Sequence, residues 1–216
     1  MAFGSSAAGP PSAGEKPPTE SLVGRTVGSF KIASLLGEGG MGCVYLAEHT
    51  LIGRKAAIKI LRHQWATSEG AVDRFMNEAR ATNVVGHPGI VDVLDVGMLP
   101  EGVPYLVMEH LQGESLGQRL ARDGKLPIAD ALAITGETAS AVGAAHDKGI
   151  IHRDLKPDNL FLVTDAQAAR GESVKVLDFG VAKLRGDAAG RVRTLTGALM
   201  GTPVYMSPRA VPGRPR

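Results

Sequence analysis

Cysteine is nearly absent from this chain: one thiol, Cys43, stands among 216 residues. An intrachain disulfide is therefore excluded, and the composition fits a reducing compartment. A charge excess is missing too, since 24 basic against 22 acidic residues leave a formal net charge of +2 with no long run of one sign. That balance gives no reason to expect nucleic acid or an anionic membrane surface as the main partner. No apolar run reaches the roughly 18 residues that mark a membrane span. The N-terminus lacks the basic-then-apolar pattern of a secretory signal. A cytoplasmic location without a membrane segment is the expectation, and no internal repeat is visible. What the chain does have is 44% apolar and 21% charged residues, enough for one domain or a small two-lobed unit.

Residues 1–26 are rich in Gly, Ser, Ala and Pro with few large apolar groups. Such a segment buries too little surface to offset chain entropy and reads as a disordered tail, a docked arm being the alternative. From Phe30 onward, short β-favouring runs separated by glycine predict strands over Phe30–Leu36, Cys43–His49 and Lys55–Leu61. Val72, Phe75, Met76 and Ala79 recur at three-and-four spacing and predict a helix over Ala71–Val85. Strands follow at Val91–Val96 and Tyr105–Glu109. Ser115 then suits the cap of a short helix, and Pro127 the opening of a longer one to about Lys148. Leu160–Val163 and Val174–Leu177 complete the set. The fold class is α+β, with a β-rich first lobe and a helical second lobe.

Gly37-Glu38-Gly39-Gly40-Met41-Gly42-Cys43-Val44 carries the spacing G-x-G-x-x-G-x-V. Dinucleotide-binding folds use the same glycines between a strand and a helix. Here Val44-Tyr45-Leu46-Ala47 is β-favouring, so the loop joins two strands, which counts against a dinucleotide-binding oxidoreductase. Glycines in that place let backbone N–H groups approach phosphates; a ligand-free flexible hairpin is the alternative. Farther on, His152-Arg153-Asp154-Leu155-Lys156-Pro157-Asp158-Asn159 is followed nineteen residues after Asn159 by Asp178-Phe179-Gly180. Together these runs supply carboxylates, an ammonium and an amide, the groups phosphoryl transfer from a nucleotide needs.

In these motifs the chain resembles the eukaryotic-type protein kinases, over about Phe30 to Pro208. The resemblance implies a two-lobed kinase fold over 27–208, with an N-lobe of about 27–111 and a partial C-lobe of about 112–208. It implies ATP and Mg²⁺ as cofactors, and a role for each matching residue. Lys59, in Ala57-Ile58-Lys59, would hold the α- and β-phosphates with Glu78 as its partner. Taken alone, Glu78 reads instead as a solvated helix residue within reach of Arg74, and the resemblance reverses that reading. Val44 and Ala57 would cover the adenine and Phe161 close it from below, although all three also read as core. Met108 would sit beside the base, and backbone groups of Glu109 and Leu111 would hydrogen-bond it. Ser115 would reach the ribose or simply cap its helix. Asp154 would accept or orient the proton of the acceptor hydroxyl, and Lys156 would neutralise charge on the γ-phosphoryl oxygens. Asn159 and Asp178 would bind Mg²⁺. Phe179 would pack between His152 and the Glu78 helix. Cys43 would project from a flexible loop near the phosphates, open to oxidation or a passive thiol.

Lys156 within Lys-Pro-Asp-Asn, and Thr202 in Gly201-Thr202-Pro203, resemble the Ser/Thr class; tyrosine kinases usually carry Ala-Ala-Arg-Asn. The acceptor would be a protein Ser or Thr, and the Gly-Gly-Met-Gly wording with its Thr-x-Thr loop looks like the bacterial members. A phosphate on Thr194 or Thr196, placed by another copy in trans, would pair with Arg153; loop threonines without a role are the alternative. Arg209 stands where the family pattern has glutamate. Deleting one nucleotide from a permitted codon reading restores Glu-Gln-Cys-Arg-Gly-Gly-Arg, so residues 209–216 are expected to be an aberrant, frameshifted tail. With the later C-lobe helices missing, the chain as written is expected to be poorly stable and catalytically silent. A nucleotide-binding scaffold without turnover is the competing reading.

Overall fold

The structure is a computed structural model, and it describes residues 22–179 and 203–205. Residues 1–21, Gly180, Thr194, Thr196, Thr202 and 206–216 lie outside the described residues, and with them the expectations for the tail, the Thr-x-Thr loop and the frameshift.

Alternating and continuous apolar runs build a six-stranded antiparallel sheet: β1 (Thr26–Val27), β2 (Phe30–Glu38), β3 (Gly42–His49), β4 (Lys55–Leu61), β5 (Val93–Met98) and β6 (Pro104–Glu109), in the order β1-β2-β3-β4-β6-β5. β4 and β6 lie inside the sheet and are the most apolar strands; Ala56, Ile58, Leu106 and Val107 are at most 1% exposed. Two helices interrupt the strands, the single turn α1 (His63–Ala66) and α2 (Glu69–Val85). α2 turns Ala71, Phe75, Glu78, Ala79 and Thr82 inward, a helical stripe with one carboxylate in it. Its end is set by Gly86, whose φ of 60° is the left-handed cap that glycine adopts without strain.

The second unit holds a three-stranded sheet, β7 (Gly113–Ser115), β8 (Leu160–Thr164) and β9 (Glu172–Val176), with α3 (Leu116–Asp123) and α4 (Ile128–Asp147). α4 faces the core through Ile134, Thr138, Ala141 and Ala145, which recur at helical spacing. Ile134, Ala141 and Ala145 form, with Ile90, Ile150, Leu162, Val174, Val176 and Phe179, a core separate from that of the large sheet. Gly113 has φ 145°, and a Cβ there would collide with the Leu162 carbonyl oxygen, so only glycine brings β7 this close to β8. Among the described residues no helix is long and apolar enough to cross a membrane.

Several boundaries differ from the sequence expectation. The last part of the expected tail belongs to the fold: Leu22 packs on the large core, and Thr26 pairs with Lys31. Val91 is buried but belongs to a connector, its N–H donating to the Val176 carbonyl, so β5 starts two residues later than expected. β9 runs over Glu172–Val176 and releases Leu177 to the loop that leads into Asp178. β1, α1 and β7, of two to four residues, are too short to leave a periodic signal.

Candidate active site

Strand register gathers the first group of side chains. Val44 pairs with Lys59, Leu106 lies opposite Lys59, and Met108 lies opposite Ala57. Because directly opposed residues and residues two apart share a face, Val44, Ala57, Lys59 and Met108 line one side of the sheet. Lys59 sits on β4 against α2, where its Nζ donates to both carboxylate oxygens of Glu78 at 2.9 Å and to Oδ1 of Asp178 at 2.6 Å. The side chains of Lys59 and Glu78 are 13% and 3% exposed, whereas that of Asp178 is 48% exposed.

Burial alone would favour a neutral lysine, but the two carboxylates outweigh it and raise the Lys59 pKa above its ordinary value. Burial pushes Glu78 up to about 7, with Asp178 adding repulsion and Lys59 pulling the other way. Asp178 also feels burial, yet Lys59 holds it below the ordinary aspartate range. The proton balance of the trio therefore keeps a cation between one strong and one weak carboxylate.

The second group stands on the loop between α4 and β8. Burial depresses the His152 pKa and keeps the imidazole neutral. Its Nε2–H donates to the Leu177 carbonyl at 2.8 Å, and its Nδ1 accepts from the Asp154 N–H at 3.3 Å. Phe179 is fully buried with its ring 4.7 Å from that of His152. Arg153 takes a left-handed backbone (φ 67°) and is exposed, and Asp178 does likewise at φ 56°. Non-glycine residues in that region are uncommon, and two of them flank this site. Asn159 donates from Nδ2 to the Asp154 carbonyl at 2.8 Å and to Asp154 Oδ2 at 3.4 Å; Lys156 Nζ lies 3.5 Å from the same Oδ2. The Leu177 N–H donates to the Asn159 carbonyl, so Asn159 is tied to the residue before Asp178.

This donor set suits a hard divalent cation. The Asn159 amide has its nitrogen engaged with Asp154, which turns its oxygen the other way, and the Asp178 carboxylate is half open to solvent. Among the described residues no group of three His, Cys, Asp or Glu surrounds a metal. Two oxygen ligands fit Mg²⁺, which commonly keeps waters and takes phosphate oxygens for the rest of its shell.

Other expected site residues fall out as follows. Gly37, Glu38, Gly39 and Gly40 are exposed on the β2–β3 hairpin, and Met41 is half-buried against the large core. Gly42 begins β3 so close to β4 that a Cβ would overlap the Ile60 carbonyl oxygen. The Glu109 N–H donates to the Asp92 carbonyl, and Glu109 pairs with Ala56 across β6 and β4. Leu111 packs on the large core. Phe161 pairs across β7–β8 with Ser115. The Ser115 side chain forms a capping box with Gln118, so its visible work is the helix cap. Cys43 does not project from a flexible loop: it is buried in β3 opposite Ile60, and burial raises its thiol pKa, which makes it a passive group.

Three contacts near the site had no signal in the sequence. The Glu109 carboxylate accepts from Lys175 Nζ on β9 and from the Asp92 N–H, and Trp65 on α1 donates to the Gly40 carbonyl. The partners lie 66, 17 and 25 positions apart in the chain, where no local pattern reports the pairing.

Residues 30–216 match the family model for the protein kinase domain. Relatives include the serine/threonine-protein kinases pkn2 (44% identical over 187 residues) and Pkn1 (43% over 193) of Myxococcus xanthus. Serine/threonine-protein kinase PknA of Mycobacterium tuberculosis is 39% identical over 196 residues. The alignments cover 86–89% of this chain but 22%, 27% and 43% of those three proteins. Among solved structures, the Mycobacterium tuberculosis PknI kinase domain superposes with a TM-score of 0.62 at 30% identity, over 74% of this chain and 63% of that one.

Proposed function

The chain belongs to the protein kinase family, and on that premise we propose that it transfers the γ-phosphoryl group of ATP to serine or threonine hydroxyls of proteins in bacterial signalling. The observation that carries this reading is Lys59 held between Glu78 and Asp178, beside a loop on which Asp154, Lys156 and Asn159 converge. Lys59 binds the α- and β-phosphates, and Glu78 fixes its ammonium against them. Asp154 orients the acceptor hydroxyl and takes its proton. Lys156, 3.5 Å from that carboxylate, meets the charge on the γ-phosphoryl oxygens. Asn159 and Asp178 hold Mg²⁺, which supplies charge neutralisation at the phosphates when bound. The neutral His152 keeps the Asp154 and Asp178 loops in register by bonding the backbone of both.

The names of the relatives support Ser/Thr over tyrosine as acceptor, as does Lys156. Phosphorylation of Thr194 or Thr196 in trans, paired to the exposed Arg153, belongs to the same proposal, as does Thr202 in the role of the threonine that bonds Asp154 and Lys156 in Ser/Thr kinases. The test is transfer of labelled γ-phosphate from ATP·Mg²⁺ to a generic basic protein, by this chain and by a longer form that carries a complete kinase domain. Incorporation on Ser or Thr by the longer form, lost in Asp154→Asn, is the expected result. Nucleotide-dependent thermal stabilisation without incorporation by either form would identify a nucleotide-binding scaffold instead.

A further inference from the structure

The loop joining β2 to β3 is built from glycines, which keep the greatest backbone freedom and lose the most on ordering. Its internal tie is one hydrogen bond, Gly39 N–H to the Gly42 carbonyl at 2.8 Å. Three further contacts reach it from one direction. The Arg62 N–H donates to the Met41 carbonyl at 2.9 Å, the Trp65 indole N–H donates to the Gly40 carbonyl at 3.2 Å, and the Arg62 guanidinium donates to Glu38 at 3.1 Å. Trp65 is the only tryptophan of the chain and is 37% exposed, so core packing does not account for its place. The Trp65 N–H donates to the Arg62 carbonyl at 2.8 Å, which folds the two latch residues together. Both lie between Lys59 and Glu78 in the chain.

We propose that Arg62 and Trp65 form a latch that fixes the glycine-rich loop to α1 and aims its N–H groups at the nucleotide phosphates. The aim follows from peptide geometry. In a trans peptide the C=O and the following N–H point in opposite directions, and the described residues contain no cis bond. With the Gly40 and Met41 carbonyls drawn to Trp65 and Arg62, the N–H groups of Met41 and Gly42 turn to the other side of the loop. Two adjacent N–H donors on one side are what a phosphate oxygen binds. Trp65 is thus a positioning residue, acting on nucleotide through the loop, and this role rests on the kinase reading given above.

The test uses the full chain and the variants Trp65→Phe, which keeps a ring and removes the donor, and Trp65→Ala. Hydrogen–deuterium exchange of residues 38–42 should speed several-fold in both, with β4 and β6 unchanged. The dissociation constant for the ATP analogue AMP-PNP with Mg²⁺ should rise about three- to tenfold, the range expected for one lost hydrogen bond. In a form that transfers phosphate, the KM for ATP should rise while kcat holds. Indole emission of the wild type should shift when AMP-PNP·Mg²⁺ is added. Unchanged loop exchange in Trp65→Phe overturns the latch, as does acceleration confined to Trp65→Ala, which would mean ring packing alone. Faster loop exchange in Trp65→Phe with no AMP-PNP binding by the wild type retains the latch and overturns the kinase reading.

Discussion

Lys59 is the residue at which β4, α2 and the loop after β9 meet, and its removal separates chemistry from stability. Lys59→Met keeps the apolar stem but removes the ammonium, so on the proposed role of Lys59 phosphoryl transfer should be abolished. Glu78 then stands buried without its partner. Its folded pKa is already raised to about 7 from the ordinary 4.5, and losing the lysine raises it further. A carboxyl raised in the folded state contributes stability below its unfolded pKa and loses it as pH climbs through the folded value. The melting-temperature gap between wild type and Lys59→Met should therefore widen from pH 6 to pH 8, as scanning calorimetry would register; a gap that narrows would mean Glu78 does not take up the proton. Asp154→Asn preserves shape and should lower turnover by about 10² to 10⁴ while leaving nucleotide affinity nearly constant. A parallel fall in both quantities would move Asp154 from proton handling to nucleotide binding.

At the level of elements, the junction of β7 and α3 is the place where short-range chemistry is most demanding. Ser115 accepts from the Gln118 N–H while the Gln118 side chain accepts from the Ser115 N–H. Ser115→Ala should cost about 1 kcal/mol, measured by urea unfolding, and more than that would assign the hydroxyl a second partner. Gly113→Ala, forced against the Leu162 carbonyl at φ 145°, should cost more than the cap loss. The cap was legible because Ser with Gln three places on is a local pattern, and the strands β2, β3, β4 and β6 were legible because glycines bracket their apolar runs. β7 was not: three residues, one a glycine, carry no alternation, and only the approach of β8 makes them a strand. In the site, Lys59 and Glu78 could be named as partners through the family motif, while composition alone left Glu78 free to pair with Arg74 on its own helix. The Glu109–Lys175 pair spans 66 positions and has no local signature at all.

Across the whole molecule, the two sheets are joined by more than the segment that follows Glu109. The Val176 N–H donates to the Gly89 carbonyl and the Val91 N–H to the Val176 carbonyl, so the connector after α2 pairs with β9. Lys175 reinforces this seam by donating to the Ile90 carbonyl as well as to Glu109. Lys175→Met should destabilise the protein by about 2 kcal/mol, the scale of hydrogen bonds to a charged group. Hydrogen exchange should quicken in β9 and residues 90–92 with little change in β2 and β3; uniform acceleration would instead mean a general loss of stability. The seam also acts as an axle for any rotation of one sheet against the other. Asp178 follows Val176 by two residues and sits near the axis, where a swing displaces it little. β3 and β2 lie three and four strand positions from β5, roughly 14 and 19 Å out along the sheet. A small rotation about the seam would therefore carry the glycine-rich hairpin farther than it carries Asp178.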